Sequence, residues 1–140
     1  MIILDTNVVS DQMTKAPDRR VRAWLNKHEI SSLWLTTITI AELKFGAWLP
    51  EDPVRHLNLM RTIVGIQKDY EDRILVFDEG SAEIYGKIAA DRRKAGRPIE
   101  IKDAMIAAIC LVHGATLATR NVRDFDGLGL KLVNPFEAKA

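Results

Sequence analysis

Cysteine is nearly missing from this chain. Cys110 stands alone within Ala107-Ala108-Ile109-Cys110-Leu111-Val112, so no internal disulfide can form and the thiol reads as a small core residue. Long apolar runs are missing as well. The longest, Ala104 to Val112, falls well short of the ~20 residues that cross a bilayer, and no basic segment followed by a long apolar stretch opens the chain. Charge of one sign is scarce: 20 basic residues face 19 acidic ones, for a net charge of +1, so bulk electrostatics point to no particular partner. His28, His56 and His113 show no H-x-x-x-H spacing, and G-x-G-x-x-G, G-x-x-x-x-G-K-[ST] and G-x-S-x-G are all absent, which removes zinc proteases, nucleotide-loop enzymes and serine hydrolases of those types. An untargeted soluble protein in a reducing, cytoplasmic setting, with no membrane association, is the expectation.

What remains is ordinary globular material. Of 140 residues, 47% are hydrophobic and 28% charged, which excludes a disordered or collagen-like chain, and the length suits one domain spanning residues 1–140. Ile2 to Leu4 reads as a strand. Val21, Trp24, Leu25 and His28 follow the i, i+3, i+4, i+7 spacing of an amphipathic helix that Asp18 can cap. A strand over Leu33 to Thr36 precedes helices over Thr37 to Leu49 and, after Pro53, to about Tyr70. Ile74 to Phe77 reads as a strand, Ser81 to Lys94 as a helix, Glu100 to His113 as a helix ended by Gly114, and Leu117-Ala118 and Lys131 to Val133 as two more strands. Apolar strands alternating with helices imply an α/β fold, a three-layer α/β/α sandwich whose mainly parallel sheet has four to five strands. Ligands of such sheets bind beyond the carboxyl ends of the strands, where strand order switches.

Three acids sit in apolar company. Asp5 follows Ile2-Ile3-Leu4; it reads either as a cap for the next turn or as a site residue at a strand's carboxyl end. Glu42 lies within Ile38-Thr39-Ile40-Ala41-Glu42-Leu43 and reads either as a first-turn glutamate complementing the helix dipole or as a site residue. Asp103 heads the apolar helix that runs through Val112. Dipole stabilisation there is worth up to ~1 kcal/mol, against the several kcal/mol that burying an unpaired charge costs. Beyond a fourth strand end, Thr119, Asn121 and Asp124 supply a hydroxyl, an amide and another acid, a set that also suits a polar turn. Carboxylates gathered in one cleft repel one another, so some stay protonated or a cation sits between them. An all-oxygen set favours Mg²⁺ or Mn²⁺ over zinc.

Taken in order, the hydrophobic-Asp5-Thr6-Asn7 start, Thr37-Ile38-x-x-Ala41-Glu42-Leu43, Ile99-x-x-x-Asp103-x-x-Ile106-Ala107-Ala108 and Ala118-Thr119-Arg120-Asn121-x-x-Asp124-Phe125 resemble the PIN-domain ribonucleases, in particular the VapC-type toxins of toxin–antitoxin pairs and their FitB-like branch. The resemblance extends to Asn134-Pro135-Phe136. It implies that Asp5, Glu42 and Asp103 hold Mg²⁺ or Mn²⁺. It also implies that Thr6, Asn7 and Thr119 orient ligands, and that Asn121 stands where many relatives carry a fourth acid, a charge Asp124 could supply. The implied substrate is RNA, cut in line. The implied partners are a cognate antitoxin, bound as an amphipathic segment with a basic side chain reaching the acids, and a second copy of the chain.

Two basic clusters, Arg19, Arg20 and Arg22, and Arg92, Arg93, Lys94 and Arg97, read as solvated helix faces or, beside such a site, as phosphate contacts. For Phe45, Trp48, Leu49, Leu57, Leu59, Met60 and Ile63 the expectation from the residues is core packing of a helix pair; the resemblance offers an antitoxin groove instead. Two rivals stay open. A haloacid dehalogenase-type phosphatase also begins with Asp at the first strand end, although it wants a second acid where this chain has Asn7. A catalytically decayed module that binds RNA or a partner without cutting is the other, prompted by Asn121.

Overall fold

A computed structural model describes residues 1–139. Its centre is a five-stranded, all-parallel sheet formed by β1 (Ile2–Leu4), β2 (Leu33–Thr36), β3 (Ile74–Leu75), β4 (Thr116–Ala118) and β5 (Lys131–Val133), in the spatial order β3-β2-β1-β4-β5. β1 is central: Ile2 pairs with Leu33 on one side and Thr116 on the other. The chain runs outward from β1 to β2 and β3, then returns to lay β4 on the opposite side of β1. The switch in order therefore falls between β1 and β4.

Among the described residues six helices cover both faces: α1 (Thr6–Gln12), α2 (Arg19–Asn26), α3 (Thr37–Trp48), α4 (Pro53–Asp69), α5 (Glu79–Lys94) and α6 (Ile101–His113). Strand residues alternate between the faces. Ile3 and Leu117 pack with Ile88 of α5 and Ile106 to Cys110 of α6, whereas Leu4 and Ala118 pack with Val8 and Val9 of α1, Val21 of α2, Leu43 of α3 and Ile63 of α4. The alternation has period two because successive strand side chains point to opposite faces. Truncating a fully buried member such as Ile106 or Leu117 to alanine should cost about 2–5 kcal/mol.

Local chemistry sets the ends. Asp52, Asp78 and Glu100 accept N–H groups of Val54, Ser81 and Asp103 at the starts of α4, α5 and α6. Gly114, at φ 60° and ψ 30°, closes α6 in a left-handed conformation that a side chain would strain. The alternating pattern read from sequence holds, with two departures. β3 spans only Ile74–Leu75 rather than reaching Phe77, and α1 is a helix that Thr-Asn-Val-Val-Ser-Asp-Gln did not announce. All of these but Gln12 are weak helix formers; what holds them is the Asp5 cap and the burial of Val8 and Val9.

Candidate active site

Asp5 leaves β1 at the carboxyl edge, beside the switch in strand order. Its Oδ1 accepts the Thr6 N–H at 2.9 Å, capping α1. Its Oδ2 accepts the Thr119 hydroxyl at 2.7 Å and the Asn7 amide at 3.2 Å. The cap and the site are thus one arrangement, each using a different oxygen. Thr119, just beyond β4, also receives the Asn121 N–H at 3.0 Å, and Asn7 Oδ1 receives the Arg120 N–H at 3.1 Å. Asp5 and Thr119 are both buried. Burial raises the Asp5 carboxyl above its ordinary value, against the pull of the Thr119, Thr6 and Asn7 hydrogen bonds.

Glu42 lies in the second turn of α3 rather than the first, because the helix begins at Thr37. The dipole reading therefore falls away. Its Oε1 accepts the Thr6 hydroxyl at 2.9 Å, and that hydroxyl also meets Thr39 at 3.0 Å. Lys102 Nζ stands 4.0 Å from Oε2. Desolvation raises the Glu42 carboxyl and Asp5 adds to it, while Thr6 and Lys102 oppose the rise.

Asp103 is in the first turn of α6. Its N–H is capped by Glu100 at 3.1 Å, but its half-buried carboxylate accepts no hydrogen bond among the described residues. Desolvation first, and then the charges of Asp5, Glu100, Asp124 and Glu42, push it up to about 7. Asp124 belongs to a short 3-10 turn, Val122–Phe125, and is exposed, yet its charge reaches both Asp5 and Asp103. Asn121 precedes that turn; its backbone is tied to Thr119, and its side chain caps nothing.

The fold therefore brings Asp5, Glu42, Asp103 and Asp124 into one electrostatic field, with Thr6, Asn7 and Thr119 holding Asp5 and Glu42. As the side chains stand, no three His, Cys, Asp or Glu among the described residues converge closely enough to chelate an ion. The donor set nonetheless fits a hard cation: all oxygen, mutually repelling, and including two carboxylates, those of Asp103 and Asp124, that accept no hydrogen bond among the described residues. Thr39, Glu100 and Lys102 are participants that the sequence did not single out. Lys102 adjoins Asp103 in the chain, which was the available signal, but that it leans toward Glu42 is a tertiary fact.

Two hollows flank the acids. A groove of about 920 Å³ runs from Thr6 and Glu42 along α1, α3 and α4, lined by Met13, Leu43, Gly46, Ala47, Val54 and Leu59 among others. A smaller pocket of about 410 Å³ opens from Asp103 and Asp124 and is lined by Arg92, Arg97, Pro98, Ile99, Glu100 and Arg123. Two expectations need correction here. Phe45, Trp48, Leu49 and Leu57 do not pack in the core of the α3–α4 pair but are exposed, and only Ile63 is buried, with Leu59 and Met60 half-buried. Arg92 is not a surface contact for phosphate: it is buried and donates to the carbonyls of Asp124 at 2.8 Å and Asp126 at 2.7 Å. In the other basic cluster, Arg20 is paired with Asp18 at 2.9 Å.

Residues 2–129 match the family described as PIN domain. The VapC ribonuclease Y4jK of Sinorhizobium fredii is 37% identical over 98% of this chain and 99% of its own length. The toxin FitB of Neisseria gonorrhoeae is 36% identical over 97% of this chain and 99% of its own. The crystal structure of FitAcB from Neisseria gonorrhoeae superposes with a TM-score of 0.92 at 35% identity, covering 98% of this chain and 99% of that one. No helix among the described residues is long and apolar enough to cross a membrane.

Proposed function

This chain belongs to the PIN domain family, and from that premise we propose that it is a Mg²⁺- or Mn²⁺-dependent endoribonuclease, the toxin of a toxin–antitoxin pair, acting in the cytoplasm. The observation that carries the metal assignment is Asp103: a half-buried carboxylate with no hydrogen-bond donor, in the field of four other acids. Such a group needs a proton or a cation to persist. Family membership speaks against the phosphatase reading, and the ribonuclease names of full-length relatives speak against a decayed module.

Asp5, Glu42 and Asp103 would hold the ion, which when bound supplies Lewis acidity that activates water and offsets phosphate charge, so that hydrolysis needs no protein nucleophile. The chain's own residues prepare the acids. Thr119 and Asn7 fix one oxygen of Asp5 while the backbone of Thr6 fixes the other. The Thr6 hydroxyl, braced by Thr39, fixes Glu42. Hydrogen bonds of this kind set ligand orientation and basicity. Asp124 adds the negative charge that Asn121 lacks. The apolar groove beside Glu42 suits an amphipathic segment of an antitoxin, and the exposed apolar face of α3 and α4 suits a second copy of the chain.

Cleavage of RNA with and without Mg²⁺ tests the reading. Wild-type protein should cut only with the metal, and Asp103→Asn should lose cleavage while keeping its circular dichroism spectrum. Metal-independent cleavage, or full activity in the variant, would overturn it.

A further inference from the structure

The smaller pocket has a construction that the catalytic acids do not explain. Its floor is cross-linked by Arg92, whose buried guanidinium donates at once to the carbonyls of Asp124, Asp126 and Arg97, the last at 3.4 Å. One side chain thereby pins the bend between α5 and α6 to the turn that carries Asp124. Two further arginines stand on the pinned segments. Arg97 Nη2 reaches the Arg123 carbonyl at 3.5 Å, so the Arg97 guanidinium lies at the backbone of its neighbour. Both arginines are exposed, and neither forms an ion pair among the described residues. Unpaired cations held on a braced floor, next to a centre of negative charge, are poised for an anion from outside the chain.

The shape and sign of the pocket narrow that anion. At about 410 Å³ it lies toward the small end of ligand sites, roughly 300–1,000 Å³, and would not take a helix with its diameter of about 10–12 Å. Its wall carries both signs: Arg97 and Arg123 together with Glu100, Asp103 and Asp124. A nucleotide offers both complements, a phosphate for the arginines and hydroxyl donors for carboxylates. A polyanion would otherwise be repelled by the clustered acids; these cations offset that repulsion on the Asp103 side. We propose that Arg97 and Arg123 grip one phosphate of the RNA backbone next to the bond that is cut, so that the strand leaves the acid centre through this pocket. The assignment rests on the ribonuclease reading and adds to it a direction for the strand.

The test uses the full chain with Mg²⁺ and a single-stranded RNA oligonucleotide containing one cut site. Arg97→Gln and Arg123→Gln should each raise KM roughly tenfold with kcat nearly unchanged. Together the two substitutions should also lower the slope of log affinity against log salt by about 0.7, the loss of one neutralised phosphate. Lys68→Gln, at the exposed end of α4, is the control and should change neither. Oligonucleotides with a neutral methylphosphonate linkage, walked one position at a time away from the cut, should reproduce the KM rise at one position in wild type and cause no further rise there in the double variant. If wild type cuts the RNA while both variants keep their KM and salt slope, the pocket assignment is overturned and the ribonuclease reading stands. If wild type cuts nothing, the ribonuclease reading itself fails. Loss of antitoxin binding in the variants with RNA kinetics unchanged would assign the pocket to the protein partner and overturn the proposal.

Discussion

The two hollows beside the acid centre differ in nearly every physical respect. The groove on the Glu42 side is large and mostly apolar, the helices α3 and α4 that wall it also expose Phe45, Trp48 and Leu57, and its acid is well supplied, with Thr6 and Lys102 at hand. The pocket on the Asp103 side is small and charged, and its acid has no donor. The contrast teaches that one site can address two partners of unlike chemistry: an amphipathic protein segment where water is readily given up, and a phosphate chain where charge is exposed and braced.

The contrast can be broken from the groove side with the largest effect. Gly46 lines the groove from α3, and a Cβ there meets nothing within 4 Å, so Gly46→Leu puts uncharged bulk into the groove without setting a cation one helical turn from Glu42. Cells that the antitoxin protects from the wild-type chain should be killed by this variant, whose RNA cleavage in vitro stays at the wild-type level; continued protection would show that the groove is not the docking surface. At the centre, Thr119→Val removes the hydroxyl bonded to Asp5 and should lower metal affinity or activity by about 10- to 100-fold. A parallel measurement on Thr14→Val, whose hydroxyl meets only the Asp11 carbonyl, should show no change.

The smallest effect separates the two acids by pH. Asp103 binds its proton more tightly in the folded chain, near pH 7 against an ordinary 3.8. The folded state therefore holds more protons than the unfolded one between those values, and metal-free stability should fall as pH rises from about 4 to 7. Asp103→Asn should flatten that fall, seen as Tm against pH in EDTA; Glu42→Gln should flatten it less, because Thr6 and Lys102 already favour the Glu42 charge. Equal flattening by both variants would show that the two carboxyls do not differ in this way.

Much of this was legible in the sequence, for identifiable reasons. Strands and long helices announce themselves through apolar runs and breakers, so β1, β2, α3, α4 and α6 lie close to where patterning puts them. Asp5, Glu42 and Asp103 stood out because carboxylates in apolar sequence demand an explanation. α1 did not, because its stability comes from a cap and from burial rather than from propensity. Arg92 resembled its exposed neighbours Arg93 and Lys94, since nothing in the string reveals that the carbonyls of Asp124 and Asp126 fold back to meet it. Phe45 and Trp48 look like core residues by type, and only the packing of α3 on α4 shows that they face outward.

That Asp5, Glu42 and Asp103 share one cation is tested most directly by titrating the metal-free protein with Mn²⁺, followed by electron paramagnetic resonance. The wild-type chain should show saturable binding that weakens sharply in Asp5→Asn, Glu42→Gln and Asp103→Asn alike. Binding that is absent from the wild type, or that survives all three substitutions, would contradict it.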